Sequence, residues 1–110
     1  MSARTYFKQG EVNFRLGDYK KALQNYNVAL ELITEKSKYR EEYLLSRFYC
    51  LFELKKFKLA INDSNKLLEL NIDYGYYFFL RGLCFANIYK SEEAIEDYTK
   101  AIELDPKDAG

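Results

Sequence analysis

Apolar residues return every three or four positions along most of this chain, the spacing of a helix with one buried face. The pattern is clearest after three alanine–aliphatic pairs, Ala22-Leu23, Ala60-Ile61 and Ala94-Ile95. Ten residues after each alanine stands a leucine, Leu32, Leu70 or Leu104. The stretches between read Tyr26-x-x-Ala29-Leu30-Glu31-Leu32, Ser64-x-x-Leu67-Leu68-Glu69-Leu70 and Tyr98-x-x-Ala101-Ile102-Glu103-Leu104. A second amphipathic stretch precedes each alanine, around Phe7 to Leu16, Tyr43 to Leu54 and Tyr77 to Ile88. Short breaks at Gly17-Asp18, Lys55-Lys56 and Lys90-Ser91 separate the members of each pair. The chain therefore predicts six helices in three hairpins. Asp18 and Ser91 are the expected N-caps, and Glu92 and Glu93 place negative charge in a first turn, where it is favoured.

The spacing is uneven. Ala60 and Ala94 are 34 residues apart, but Ala22 and Ala60 are 38 apart. Four residues make about one α-helical turn, and the segment Glu35 to Glu42 contains no Gly or Pro. The insertion near 37–40 is thus expected to lengthen the second helix by a turn, or to start the third early, in preference to forming a loop.

This period resembles the tetratricopeptide repeat, a 34-residue helix–turn–helix unit. The first unit, about 3–36, carries Gly10, Gly17-Asp18-Tyr19, Ala22, Tyr26 and Ala29. The third, about 75–108, carries Gly82, Ala94, Tyr98, Ala101 and Leu104-Asp105-Pro106. The second, about 41–74, is weaker, with Phe48, Ser64 and Leu67 where the family usually has Gly, Tyr and Ala. The resemblance spans nearly the whole chain. It implies one all-α domain over 1–110, a right-handed α-solenoid of three repeats and six helices. Pro106 should end the last helix, and the four residues after it are too few for a capping seventh helix.

Composition narrows the chemistry. The chain has 110 residues, 48% of them hydrophobic, with one Pro and five Gly, which suits one domain of long helices. It has no His, which removes His-based acid–base catalysis and His-ligated metal. Seventeen basic residues balance seventeen acidic ones, so no nucleic-acid partner is expected. Charge is nevertheless graded. Residues 1–40 hold eight basic and four acidic groups, residues 41–74 five and six, and residues 75–110 four and seven. Cys50 and Cys84 occupy equivalent repeat positions, where the first repeat has Val12. They are expected as buried, reduced thiols one repeat apart, too far for a disulfide. The apolar run Tyr76 to Leu80 stops at Arg81, far short of a bilayer span, and the N-terminus lacks an apolar core of signal-peptide length. A cytoplasmic, reducing setting without membrane insertion is expected.

No catalytic constellation, metal site or cofactor motif stands out, so the chain is not expected to be an enzyme. Glu92, Glu93, Glu96 and Asp97 read as a solvated helix face, and Lys55, Lys56 and Lys58 are too sparse to mark a phosphate site. Gly10 and Gly82 read as helix–helix contact points. The resemblance implies a concave groove lined by the first helix of each repeat: Phe7, Glu11 and Phe14, then Leu45, Tyr49 and Phe52, then Tyr76, Phe79, Leu80 and Leu83. One subclass of the family clamps the C-terminal carboxylate of chaperones ending in Glu-Glu-Val-Asp, using two Lys, two Asn and one Arg. The corresponding residues here are Phe7, Glu11, Ser46, Tyr76 and Leu80, none of which matches. The expected function is a non-catalytic protein–protein interaction module that holds an apolar or aromatic-anchored peptide or helix. The alternative is a scaffold module that self-associates through Ile95, Tyr98 and Ile102, which share one face of the last helix, or an excised or engineered fragment of a longer repeat protein.

Overall fold

All six helices form, and the turns after the first, third and fifth explain where those helices stop. The computed structural model describes residues 1–105 and contains six α-helices: α1 (Ala3–Arg15), α2 (Tyr19–Glu31), α3 (Arg40–Glu53), α4 (Phe57–Leu70), α5 (Gly75–Asn87) and α6 (Ser91–Leu104). No strand occurs among the described residues. After α1, α3 and α5 the backbone turns left-handed at equivalent positions, Gly17 (φ 79°), Lys55 (φ 60°) and Tyr89 (φ 63°). Each turn carries the same pair of bonds. Gly17 N donates to Phe14 O at 3.0 Å and Asp18 N to Asn13 O at 2.9 Å; Lys55 N donates to Phe52 O and Lys56 N to Leu51 O; Tyr89 N donates to Ala86 O and Lys90 N to Phe85 O. This double bond is the Schellman closure, which satisfies the last free carbonyls of a helix.

The turn also sets the start of the next helix. Asp18 caps α2 as expected, its carboxylate accepting from Lys21 N at 3.2 Å, and Ser2 caps α1 by accepting from Thr5 N. Ser91 is not a cap. The turn of fixed length puts Lys90 at that position, with no side-chain cap bond, and Ser91 is the first helical residue ahead of Glu92 and Glu93.

The insertion near 37–40 also departs from expectation. Eight residues, 32–39, join α2 to α3, against four, 71–74, joining α4 to α5, so the extra four lie in the connection and not in a helix. Turn bonds run from Ser37 N to Thr34 O and from Arg40 N to Ser37 O, while the Ser37 hydroxyl accepts from Tyr39 N at 3.1 Å. A serine that bonds nearby backbone offers the chain an alternative to helix. Pro106, the expected helix stop, lies outside the described residues; α6 already ends at Leu104.

The helices form two compact units, residues 1–56 with α1–α3 and residues 57–110 with α4–α6. In the first, α2 packs against both α1 and α3, over a core of Phe7, Tyr26, Ala29, Tyr43 and Leu44. Phe7 stacks on Tyr43 with centroids 4.3 Å apart, and the Arg4 guanidinium lies over the Phe7 and Tyr39 rings while pairing with Glu42 at 3.0 Å. In the second, α5 packs between α4 and α6, with Tyr77, Phe78, Leu80 and Cys84 buried along it. Arg81 of α5 holds Asp97 of α6 through two bonds of 2.8 Å and reaches Asn65 of α4 at 3.0 Å. Asp97 is therefore buried, not part of a solvated acidic face, because it shares the inward stripe of Ala94 and Ala101.

The two outer hairpins make one contact alike. A Cβ on Gly10 would lie 2.6 Å from the Tyr26 ring, and one on Gly82 would lie 2.7 Å from the Tyr98 ring. Both glycines are contact points, as the sequence indicated. Tyr26 is buried and cannot retreat, whereas Tyr98 is half-buried.

Two stability predictions follow from these geometries. Tyr89→Gly removes the left-handed strain of a residue that is 92% exposed, and should stabilise the chain by about 1 kcal/mol in urea denaturation; a destabilised variant would refute the strain argument. Gly10→Ala should cost about 1–3 kcal/mol from overpacking, and Gly82→Ala distinctly less. Equal costs would show that Tyr98 is as firmly seated as Tyr26.

Candidate functional site

In the first unit, α1 and α3 carry the expected groove residues, but not all of them reach the surface. Phe7 is fully buried and belongs to the core. The ring has no polar tip to draw it outward, and it lies one turn from Gly10, between Tyr26 at 5.5 Å and Tyr43. Glu11, Phe14, Leu45, Tyr49 and Phe52 are half-buried. Glu11, Phe14, Arg15, Tyr26, Ser46 and Tyr49 line a cavity of ≈ 190 Å³. Burial pushes the Tyr26 phenol up to about 12, so it stays protonated at neutral pH. Glu11 is paired with Lys8 at 3.3 Å.

In the second unit Leu80 is also core. It stands three residues after Tyr77 and four before Cys84, on the face turned away from solvent. Leu83 is half-buried, while Tyr76 and Phe79 are exposed. On α6, Ile95 is 64% and Ile102 51% exposed, with Tyr98 half-buried between them. Tyr76 and Phe79 join Tyr98 and Ile102 around one cavity of ≈ 330 Å³, completed by Tyr74, Gly75, Ala101 and Asp105. The sequence pattern alone places these four residues on two separate surfaces, a groove and a self-association face. Their union was signalled by the matching of first and third repeats, in which Phe7 and Tyr26 are counterparts of Phe79 and Tyr98.

Neither cysteine offers reactive chemistry. Burial pushes the Cys50 thiol up to about 11 and the Cys84 thiol to about 12, so neither forms appreciable thiolate at neutral pH. Cys50 Sγ lies 3.0 Å from the Tyr19 carbonyl oxygen. Val12, at the same repeat position, is 53% exposed. Among the described residues no three His, Cys, Asp or Glu side chains are gathered to hold a metal, and no helix is long and apolar enough to cross a membrane. What the surface offers is aromatic and aliphatic area with few charges, which recognises apolar partners.

Comparison with known proteins agrees with this architecture. The sequence pattern of the tetratricopeptide repeat matches residues 3–35 and 75–108, more than half the chain. The chain is 32% identical to the heat shock protein STI1 of Saccharomyces cerevisiae, over 96% of this chain and 17% of that one. It is 30% identical to a DnaJ homolog subfamily C member 7 homolog of Schizosaccharomyces pombe, over 98% of this chain and 25% of that one. It thus spans a quarter or less of these relatives. Its fold superimposes with a TM-score of 0.80 on the first TPR of Spaghetti (RPAP3), solved bound to the HSP90 peptide SRMEEVD, at 29% identity over 96% of this chain and 81% of that one. With six helices in this order, the matched repeats and the shared fold, the chain belongs to the tetratricopeptide repeat family.

Proposed function

We propose that this chain is a non-catalytic interaction module that holds an apolar, aromatic-anchored peptide or helix of a protein partner inside a reducing compartment. The observation that carries this reading is the pairing of exposed aromatic surface with a cavity in each unit: Phe14 and Tyr49 in the first, Tyr76 and Phe79 in the second. Aromatic side chains give much contact area for little lost rotamer freedom, which makes them good anchors. The relative solved with SRMEEVD supports a peptide ligand in general, but the residues here argue against an acidic chaperone tail. Phe7 and Leu80, at two of the five clamp positions, are buried, and Glu11 at a third would repel a carboxylate. The second reading, self-association through Ile95, Tyr98 and Ile102, is favoured by the exposure of the two isoleucines and is separated from the first by light scattering over a concentration series.

Two measurements test the main reading. For a peptide selected from a random library on the wild-type chain, Tyr49→Ala combined with Phe79→Ala should abolish binding with little change in melting temperature. A loss of several kcal/mol of stability, the usual result of truncating large core residues, would place both in the core and sink the assignment. A synthetic peptide ending in Glu-Glu-Val-Asp should show no saturable binding by calorimetry at moderate salt. Micromolar affinity would mean that the chain clamps carboxylates by other residues.

A further inference from the structure

Resting on that reading, we infer that the cavity walled by α1, α2 and α3 takes a glutamine side chain of the bound peptide, held by its carboxamide. The cavity of ≈ 190 Å³ lies wholly within the first unit. At ~30 Å³ per water it has room for about six waters, or for one side chain. Tyr26 is the wall that points to a ligand. The residue is 2% exposed, yet its hydroxyl makes no hydrogen bond to any described residue. Among the described residues, the fully enclosed side-chain polar atom without a partner is Tyr43 Oη. Tyr26 Oη is not enclosed in that way, so it opens onto the cavity that Tyr26 lines. A phenol buried everywhere but at its oxygen, and unpartnered there, is left for a ligand or for water to satisfy.

The other polar groups of the lining decide what that ligand is. Ser46, half-buried on α3, makes no side-chain hydrogen bond among the described residues. Arg15, in the last turn of α1, has neither an ion pair nor a hydrogen bond among them. Glu11 meets one ammonium, Lys8 Nζ at 3.3 Å, and a carboxylate has sites for further donors. Burial, then Cys50 and Glu11, pushes the Tyr26 phenol up while Arg15 pulls it down, so both charges act on the same hydroxyl. A carboxylate head would find donors in Arg15, Ser46 and Tyr26 but would face Glu11. A cationic head would suit Glu11 but would face Arg15. Either meets a like charge. A carboxamide carries an acceptor and two donors in one neutral plane. Its oxygen accepts from Arg15 or Ser46 and its NH₂ donates to Glu11, while the Tyr26 hydroxyl can serve either end.

Glutamine fits better than asparagine or a main-chain amide. Its methylene stem covers the half-buried rings of Phe14 and Tyr49, as apolar stems do beneath polar heads. A main-chain amide has no stem to carry it past those rings. A site that hydrogen-bonds a ligand group rejects the analogue lacking it, because its own polar groups are then left unpaired. The glutamine therefore sets which peptide is chosen, while aromatic contacts elsewhere on the surface supply area.

The probe is a random peptide library displayed on phage and selected on the whole chain. Selected peptides that lose binding with Tyr49→Ala in the chain should share one glutamine. Synthetic copies, followed by fluorescence anisotropy, should weaken about tenfold or more when that glutamine is replaced by glutamate, lysine or methionine. In the chain, Tyr26→Phe should weaken the glutamine peptide several-fold at an unchanged melting temperature; the replacements in the peptide carry the test if that variant folds poorly. Glu11→Gln should restore about tenfold of the glutamate peptide's affinity, and Arg15→Gln the same for the lysine peptide. A merely structural role for these residues would not produce that exchange. Peptides that need Tyr49 but share no glutamine, or bind equally with methionine in its place, would overturn the inference and leave the interaction reading standing. A shared Asp or Glu would likewise overturn it and assign the cavity to an acidic ligand. Failure to select any peptide that depends on Tyr49 would overturn that reading for the first unit, and the inference with it.

Discussion

A tyrosine ring packed against a glycine brings the two helices of each outer hairpin close, and the presence or absence of a further helix against that hairpin decides what it presents to solvent. Tyr26 against Gly10 and Tyr98 against Gly82 leave equally little room for a Cβ. Such a pair buries one stripe of each helix and leaves a second stripe of similar apolarity, because a repeat of two helices cannot enclose its own hydrophobic residues. In the first unit that stripe lies under α3 and becomes core. Among the described residues of the second, the same residue types, Phe and an aliphatic, lie at the surface: Phe79 is 41% exposed where Phe7 is 0%, and Ile102 51% where Leu30 is 9%.

This dependence on a neighbour explains what was legible in the sequence. Helix number, the pairing of α1 with α2 and of α5 with α6, and the roles of Gly10, Gly82 and Asp18 follow from spacing of a few residues within one hairpin, and they stand in the structure as read. The four-residue insertion departs from the helix that its composition favours because the Ser37 hydroxyl accepts from Tyr39 N, a local bond that holds the segment as a turn. Ser91 was misread because the left-handed residue at Tyr89, invisible in a side-chain pattern, sets the cap one position earlier.

The candidate site was legible in kind and not in membership. Aromatic residues on the first helices were read as surface by their family position, and Phe14, Tyr49, Tyr76 and Phe79 do retain exposed area. Phe7 and Leu80 do not, since a position that bears a polar or charged tip in the carboxylate-clamping subclass holds here a side chain with nothing to lose by burial. The cavity on α5 and α6 could be recognised only by treating the first hairpin as a template for the third, a comparison of burial that spacing does not contain.

The hairpin with the open face is also the one held by ions. At the position of Asp97 the first hairpin has Asn25, which donates to Asn13 at 2.7 Å, a neutral bond between side chains. Asp97 instead takes two bonds from Arg81, whose guanidinium lies 5.5 Å from the Phe78 centroid and 5.9 Å from that of Phe85 and also reaches Asn65 on α4. A buried pair of this kind adds little net stability over an apolar substitute, but it admits few alternative registers, since a shifted helix would strand a charge. Where α1 and α2 have the stacked ring of Tyr43 and the Arg4–Glu42 bridge from α3 to hold them, α5 and α6 are pinned from the α4 side. That arrangement fixes α6 to α5 and α5 to α4, which holds the cavity walls of Tyr76, Phe79, Tyr98 and Ile102 in place.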